Sequence, residues 1–131
     1  TGHVGLRVWA VTSAVDTDWT AKLVDVHSDG SASNVCDGIL RASFRDSLET
    51  TSPVEPGVPY VYEVDVGPVS MLFRRGHRIR LEVSSSNFPA YARSLNVAGA
   101  DAGESEGRPA TQTVLHDADH PSALMLPIVP R

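Results

Sequence analysis

From Arg78 to Ser84 the side chains alternate without a break. Ile79, Leu81 and Val83 fall on one side, and Arg78, Arg80, Glu82 and Ser84 on the other. A period of two over seven residues is the signature of a strand with one face on a core and the other in water. Gly76 marks a turn before it. Pro89 stops it, because proline lacks a backbone donor and holds the preceding Phe88 extended. The stretch is expected to be the central strand of an all-β domain, with Ile79, Leu81 and Val83 holding the core.

Similar patterns recur along the chain. Gly5 to Ser13 alternates Leu6, Val8 and Ala10 with Arg7, Trp9 and Val11, which reads as a strand partly buried on both faces. Asp16-Thr17-Asp18 breaks it, since Asp side chains bond nearby amides and favour turns. Trp19 to His27 is a second strand, and Asp29-Gly30 marks a hairpin. The return strand is expected from Ala32 to Arg45, with a bulge at Asp37-Gly38. Pro53, Pro56-Gly57 and Pro59 place a loop over 46–59. Tyr60, Tyr62, Val64 and Val66 then share one face of a strand that Gly67-Pro68 is expected to end. Ser70 to Arg74 is expected to form one helical turn. A long loop over 90–110 precedes strands at Ala110–Asp117 and Ala123–Val129. Short strands with a turn signal about every ten residues predict an all-β jelly-roll-like sandwich of the galactose-binding-domain type.

The 131 residues form one domain, with a 41% apolar content that is enough for a single core. A net charge of -5, with lysines and arginines spread along the chain, argues against a nucleic-acid partner. No apolar run approaches the length of a membrane span. Cys36 is the single cysteine, so no internal disulfide forms, and with no visible signal segment this weighs slightly toward the cytoplasm. The chain opens on Thr1 almost directly into a strand, so a fragment is expected, with any targeting segment upstream.

Four groups of residues invite a chemical reading. Gly103-Glu104-Ser105-Glu106-Gly107 fits the G-x-S-x-G pattern, and Asp117, Asp119 and His120 follow in triad order. A nucleophile elbow needs a strand before it and a helix after it, whereas this segment sits in a glycine-rich loop ending in Arg108-Pro109. Two glutamates would also oppose an oxyanion, so the match is read as chance. His116, Asp117, Asp119 and His120 have ligand chemistry, but Pro121 and the flanking strands point to a polar connection, with Asp117 and Ser122 making local turn bonds. Asp16, Asp18 and Asp25 are too divided to supply the six or more oxygens calcium takes. Trp9, Trp19, Tyr60, Tyr62 and Tyr91 would make a sugar-stacking platform only if exposed in a row, and that is the rival reading, a stand-alone carbohydrate-binding jelly roll. Cys36 is expected to be a buried thiol. No catalytic residue, cofactor ligand or metal ligand is assigned.

Several stretches together resemble one family. They are 16–26 (Asp16-Thr17-Asp18-Trp19 through Val26), Cys36-Asp37-Gly38-Ile39-Leu40-Arg41, Gly76-His77-Arg78-Ile79-Arg80, Ser84-Ser85-Ser86-Asn87-Phe88-Pro89 and His120-Pro121-Ser122. In order and spacing they are similar to the C-terminal, non-catalytic domain of the X-prolyl dipeptidyl-peptidase and cocaine esterase family of serine hydrolases. The relatives include α-amino-acid ester hydrolases and glutaryl-7-aminocephalosporanic acid acylases. The resemblance implies an upstream α/β-hydrolase domain carrying the catalytic Ser, Asp and His, a helical cap, and a β-domain that packs on both and walls the active site. It implies that the β-domain's first strand or strands are missing here. It places no catalytic residue on this chain. After Phe88-Pro89 the family's usual acidic residue is replaced by Ala92, while Tyr91, Arg93 and Asn96 match. The candidate domain interface is therefore Asn87, Phe88, Pro89, Tyr91, Arg93 and Asn96. An isolated domain of this kind is expected to expose an apolar patch or a free strand edge and to self-associate.

Overall fold

The computed structural model describes residues 1–99 and 106–130. Among these residues seven strands form two antiparallel sheets packed face to face. In chain order they are β1 (Gly2–Thr12), β2 (Asp18–Val26), β3 (Ala32–Arg41), β4 (Tyr60–Val69), β5 (Arg78–Ser84), β6 (Gln112–Leu115) and β7 (Ala123–Met125). One sheet has the order β4-β1-β6, with β7 also on β1, and the other has the order β3-β2-β5. The chain changes sheet at every connection except β2–β3 and β6–β7, as it does in a jelly roll.

β1 is the middle of the first sheet. It pairs with β4 along its length, and its other edge is divided, with Trp9–Thr12 taken by β6 and Gly5–Arg7 by β7. Its alternation delivers Val4, Leu6, Val8 and Ala10 to the interior, where Tyr62, Val64 and Val66 of β4 join them. From the opposing sheet Trp19, Ala21 and Leu23 of β2 close the core. Trp19 and Tyr62 lie with ring centroids 5.5 Å apart and anchor it. Burial raises the pKa of the Tyr62 hydroxyl, the expected effect of an apolar wall on a group that must ionise to a charge.

The structure corrects several expectations. The strand at Arg78–Ser84 exists and turns Leu81 and Val83 toward the core, but it is an edge strand rather than the central one. Ile79 is 49% exposed. β2 occupies the centre instead, and it is buried on both faces, including Thr20, Val24 and Val26. The extra residue of the return strand is Val35, where the register shifts between Leu23 and Val24, and not Asp37-Gly38. That strand ends at Arg41, and Ala42–Phe44 form a short 3-10 turn. β4 runs through Gly67 and Pro68 to Val69. It can do so because it is an edge strand that bulges opposite Val4 and Gly5, and edges and bulges tolerate proline. Residues 70–74 form no helical turn. β6 and β7 are shorter than the patterns that announced them.

Gly38 performs a different task from the one its sequence context suggests. A Cβ built on it would lie 1.9 Å from the Asp65 carbonyl oxygen of β4. The two sheets touch backbone to backbone there, and only glycine fits.

Candidate functional site

The loop that follows β5 is pinned from beneath. Asp37 on β3 accepts a bond from Asn34 Nδ2 at 2.9 Å on one carboxylate oxygen and from Asn87 Nδ2 at 3.3 Å on the other. The Tyr91 amide donates to the Asn87 carbonyl at 3.2 Å and closes a turn around a cis Phe88–Pro89 peptide. Burial, then a bond to Asp37 and its charge, raise the pKa of the Tyr91 hydroxyl. Asn96 takes a left-handed conformation, with φ 59°, that asparagine tolerates. Its Nδ2 donates to the Arg108 carbonyl at 2.8 Å, and the Arg108 amide donates to the Leu95 carbonyl at 2.9 Å.

The six candidate interface residues therefore divide by role. Asn87, Tyr91 and Asn96 shape the loop, while Phe88, Pro89 and Arg93 are exposed. Phe88 is 66% exposed, and the Arg93 guanidinium lies 5.8 Å from its ring centroid. An exposed Phe under an Arg on a fixed loop is the kind of anchor that a partner surface buries.

Two further features border the fold. A largely apolar cavity of about 620 Å³ lies among Val15, Arg41, Phe44, Pro53, Val54 and Ala98. At the start of β1, the Thr1 hydroxyl bonds the Ser70 hydroxyl at 3.0 Å, and the Thr1 amine reaches the Pro127 carbonyl at 3.5 Å. These contacts hold Ser70 and Pro127 beside the start of β1, and Leu72, Ile128 and Val129, close to them in sequence, are well exposed.

The other candidates resolve into structural roles. Asp16 accepts from the Thr17 amide, the Ser43 amide and the Ser43 hydroxyl. Asp18 accepts from Arg41 Nε at 3.0 Å across β2 and β3. Neither lies with Asp25, which is bonded instead to His77. Asp117 accepts from the amides of Asp119 and His120 and from His120 Nδ1 at 3.0 Å. The bonded His120 is the main reason its carboxyl sits below the usual range. Ser122 donates to the Leu115 carbonyl and accepts from the Trp9 amide, so 116–122 is a bonded connection between β6 and β7. The aromatic residues form no platform, because Trp19 and Tyr62 are core, Trp9 packs edge-on to His120 and Tyr60 lies under Arg45. Cys36 is half-buried rather than buried. Burial, then Asp37 and Asp65, push its pKa up, which makes it a poor nucleophile. Ser105 of the G-x-S-x-G match lies outside the described residues.

Among the described residues, the group of His, Cys, Asp or Glu side chains within ligating reach of one another is Asp25, His27 and His77. Their separation in sequence hid them. The signal that finds them is the pairing register of β2 with β5.

Residues 1–125 match the family described as the X-Pro dipeptidyl-peptidase C-terminal non-catalytic domain. The chain is 44% identical to a cocaine esterase from Rhodococcus sp. (strain MB1 Bresler), over its whole length but only 23% of that protein's. Two solved structures are similar. An aminopeptidase from a marine sediment Thaumarchaeota archaeon matches with a TM-score of 0.87 and 31% identity over 94% of this chain and 22% of its own. An α-amino acid ester hydrolase matches with a TM-score of 0.85 and 28% identity over 95% of this chain and 22% of its own.

Proposed function

Because the chain belongs to the family of X-Pro dipeptidyl-peptidase C-terminal non-catalytic domains, we propose that it serves a larger serine hydrolase as an accessory domain. It packs on the α/β-hydrolase and cap domains of the same polypeptide and helps shape the active-site entrance. The observation that carries this reading is the fraction of each relative that is matched, all of this chain against 23% of the esterase. The reaction belongs to the rest of the polypeptide and is the hydrolysis of esters, amides or X-Pro peptides.

The surface supports the same reading. Phe88, Pro89 and Arg93 stand on a loop braced by Asn87, Tyr91 and Asn96, so little ordering entropy is lost when a neighbour covers them. The exposed Leu72, Ile128 and Val129 offer further apolar side chains for a neighbouring domain to bury.

The test uses native extract. A fluorophosphonate probe marks serine hydrolases, and an antibody to this domain captures its polypeptide. A labelled band several times the size of this chain is the expected result, and an unlabelled band of this chain's own size overturns the reading. In that larger protein, Phe88→Asp with Arg93→Glu should remove about 2 kcal/mol or more of interface energy. The temperature at which probe labelling is lost should fall by several degrees, with the far-ultraviolet circular dichroism unchanged at 25 °C. An unchanged temperature means that this loop does not dock.

A further inference from the structure

At the end of the β3-β2-β5 sheet, two histidines stack over one buried carboxylate. Asp25 is 4% exposed. His77 Nδ1 lies 2.9 and 3.0 Å from its two oxygens, and His27 Nε2 lies 3.7 Å from one of them. The imidazole rings are 4.6 Å apart, centroid to centroid, and inclined by 22°. We propose that Asp25, His27 and His77 form a binding site for a divalent transition-metal ion of the zinc type, clamping the β2–β3 hairpin to the turn that precedes β5.

The topology explains why the three meet. Asp25 and His27 are two residues apart at the end of a strand, so they project to one face. Val26 pairs with Arg78, which brings His77 alongside His27 on the neighbouring strand. Both histidines are held by tight turns. The His27 amide donates to the Ser31 carbonyl at 2.8 Å, the Gly30 amide donates to the His27 carbonyl at 3.0 Å, and the His77 amide donates to the Arg74 carbonyl at 3.0 Å. The backbone of the site is thus formed before any ion arrives.

The donor set has the right chemistry. Two borderline imidazoles with one carboxylate make a donor set that zinc accepts, and three protein ligands leave a fourth position for water. The ligating atoms lie within 4.8 Å of one another. Neighbouring ligands of a tetrahedral zinc stand about 3.3 Å apart, given zinc–nitrogen distances of about 2.0–2.1 Å. Closing the difference requires a side-chain rotation by His27, which is 37% exposed and gives up only a long 3.4 Å contact between its Nε2 and the Ser33 hydroxyl. The Asp25–His77 bond alone would tether the strands; His27, stacked on His77 and 3.7 Å from Asp25, adds the third donor that a zinc site needs.

The test starts from chelator-stripped protein titrated with zinc by calorimetry, and with cobalt by visible absorption. One ion per chain, with the visible bands of tetrahedral cobalt and a raised Tm, is expected. His27→Gln leaves the Asp25–His77 bond intact, so it should fold yet bind zinc at least about 100-fold more weakly. His120→Gln, in the β6–β7 connection, should bind as the unaltered protein does. No binding, binding that survives His27→Gln, or binding lost in His120→Gln overturns the assignment. None of these outcomes depends on whether the chain serves a hydrolase.

Discussion

Gly38→Ala is expected to destabilise the protein by about 3 kcal/mol or more, at the upper end of what overpacking costs. The added Cβ would meet the Asp65 carbonyl oxygen at 1.9 Å, its carbon at 2.8 Å and Val66 Cα at 3.0 Å. A flexible side chain in that position would swing aside, but here the obstacle is backbone. Asp65 is held in the ladder with Gly5 beside a bulge, so relief requires the two sheets to part. Gly30→Ala is the informative comparison. Gly30 has φ 88° but open space around it, so it should lose only about 1–2 kcal/mol of left-handed strain. Urea unfolding of both variants decides the matter. Gly38 has no positive φ, so a loss no larger than that of Gly30→Ala would mean that the two sheets part at little cost.

Asp16→Ala should cost about 2–5 kcal/mol. Its carboxylate accepts at 2.9 Å from the Thr17 amide, at 3.0 Å from the Ser43 amide and at 2.7 Å from the Ser43 hydroxyl. Thr17 and Ser43 are both buried, so alanine strands two backbone donors out of reach of protein partners. Each such donor costs about 1–3 kcal/mol. Asp16→Asn retains an oxygen for the two amides and presents an NH₂ that the Ser43 hydroxyl can accept by reversing its role, so it should lose only about 1 kcal/mol. The difference in urea midpoint between the two variants measures the stranded donors. If alanine and asparagine cost the same, the three bonds contribute nothing. Because Asp16 also borders the 620 Å³ cavity, the alanine variant should loosen that wall, and a dye that reports apolar surface should bind it more strongly.

The parts of this fold legible in the sequence are those that a period of two can carry. The inward faces of β1 and β4, and Leu81 and Val83 of β5, are legible because alternation records which face of a strand is dry, whereas Ile79 shares the pattern but is 49% exposed. Alternation does not record where a strand sits in its sheet. The cleanest pattern, Arg78–Ser84, therefore looked central although it lies at an edge, and an edge strand with one wet face is where such a pattern survives best. β2, buried on both faces, has no wet side to alternate with. Gly38 reads as a bulge in the sequence because sequence shows that a side chain is absent, not what presses on the space. The loop's chemistry was half visible. Its position after Asn87-Phe88-Pro89 was found, but which residues turn inward depended on Asp37, fifty residues earlier. Asp25 and His77 were beyond reach for the same reason, since only the register of β2 against β5 joins them.

The divided edge of β1 has a consequence for how the protein is made. Trp9–Thr12 wait for β6, and Gly5–Arg7 wait for β7, the last strand of the sandwich. A ribosome releases β1 first and β7 last, so a nascent chain carries an open, apolar-faced edge until residues 112–125 emerge. Pairings this distant in sequence are slow to form, and an unpaired edge is a template for the wrong neighbour. The domain must therefore complete its first sheet late, only once residues 112–125 have left the ribosome. A stop codon anywhere before β6 leaves a product in which β1 can still pair with β4 but keeps its other edge open.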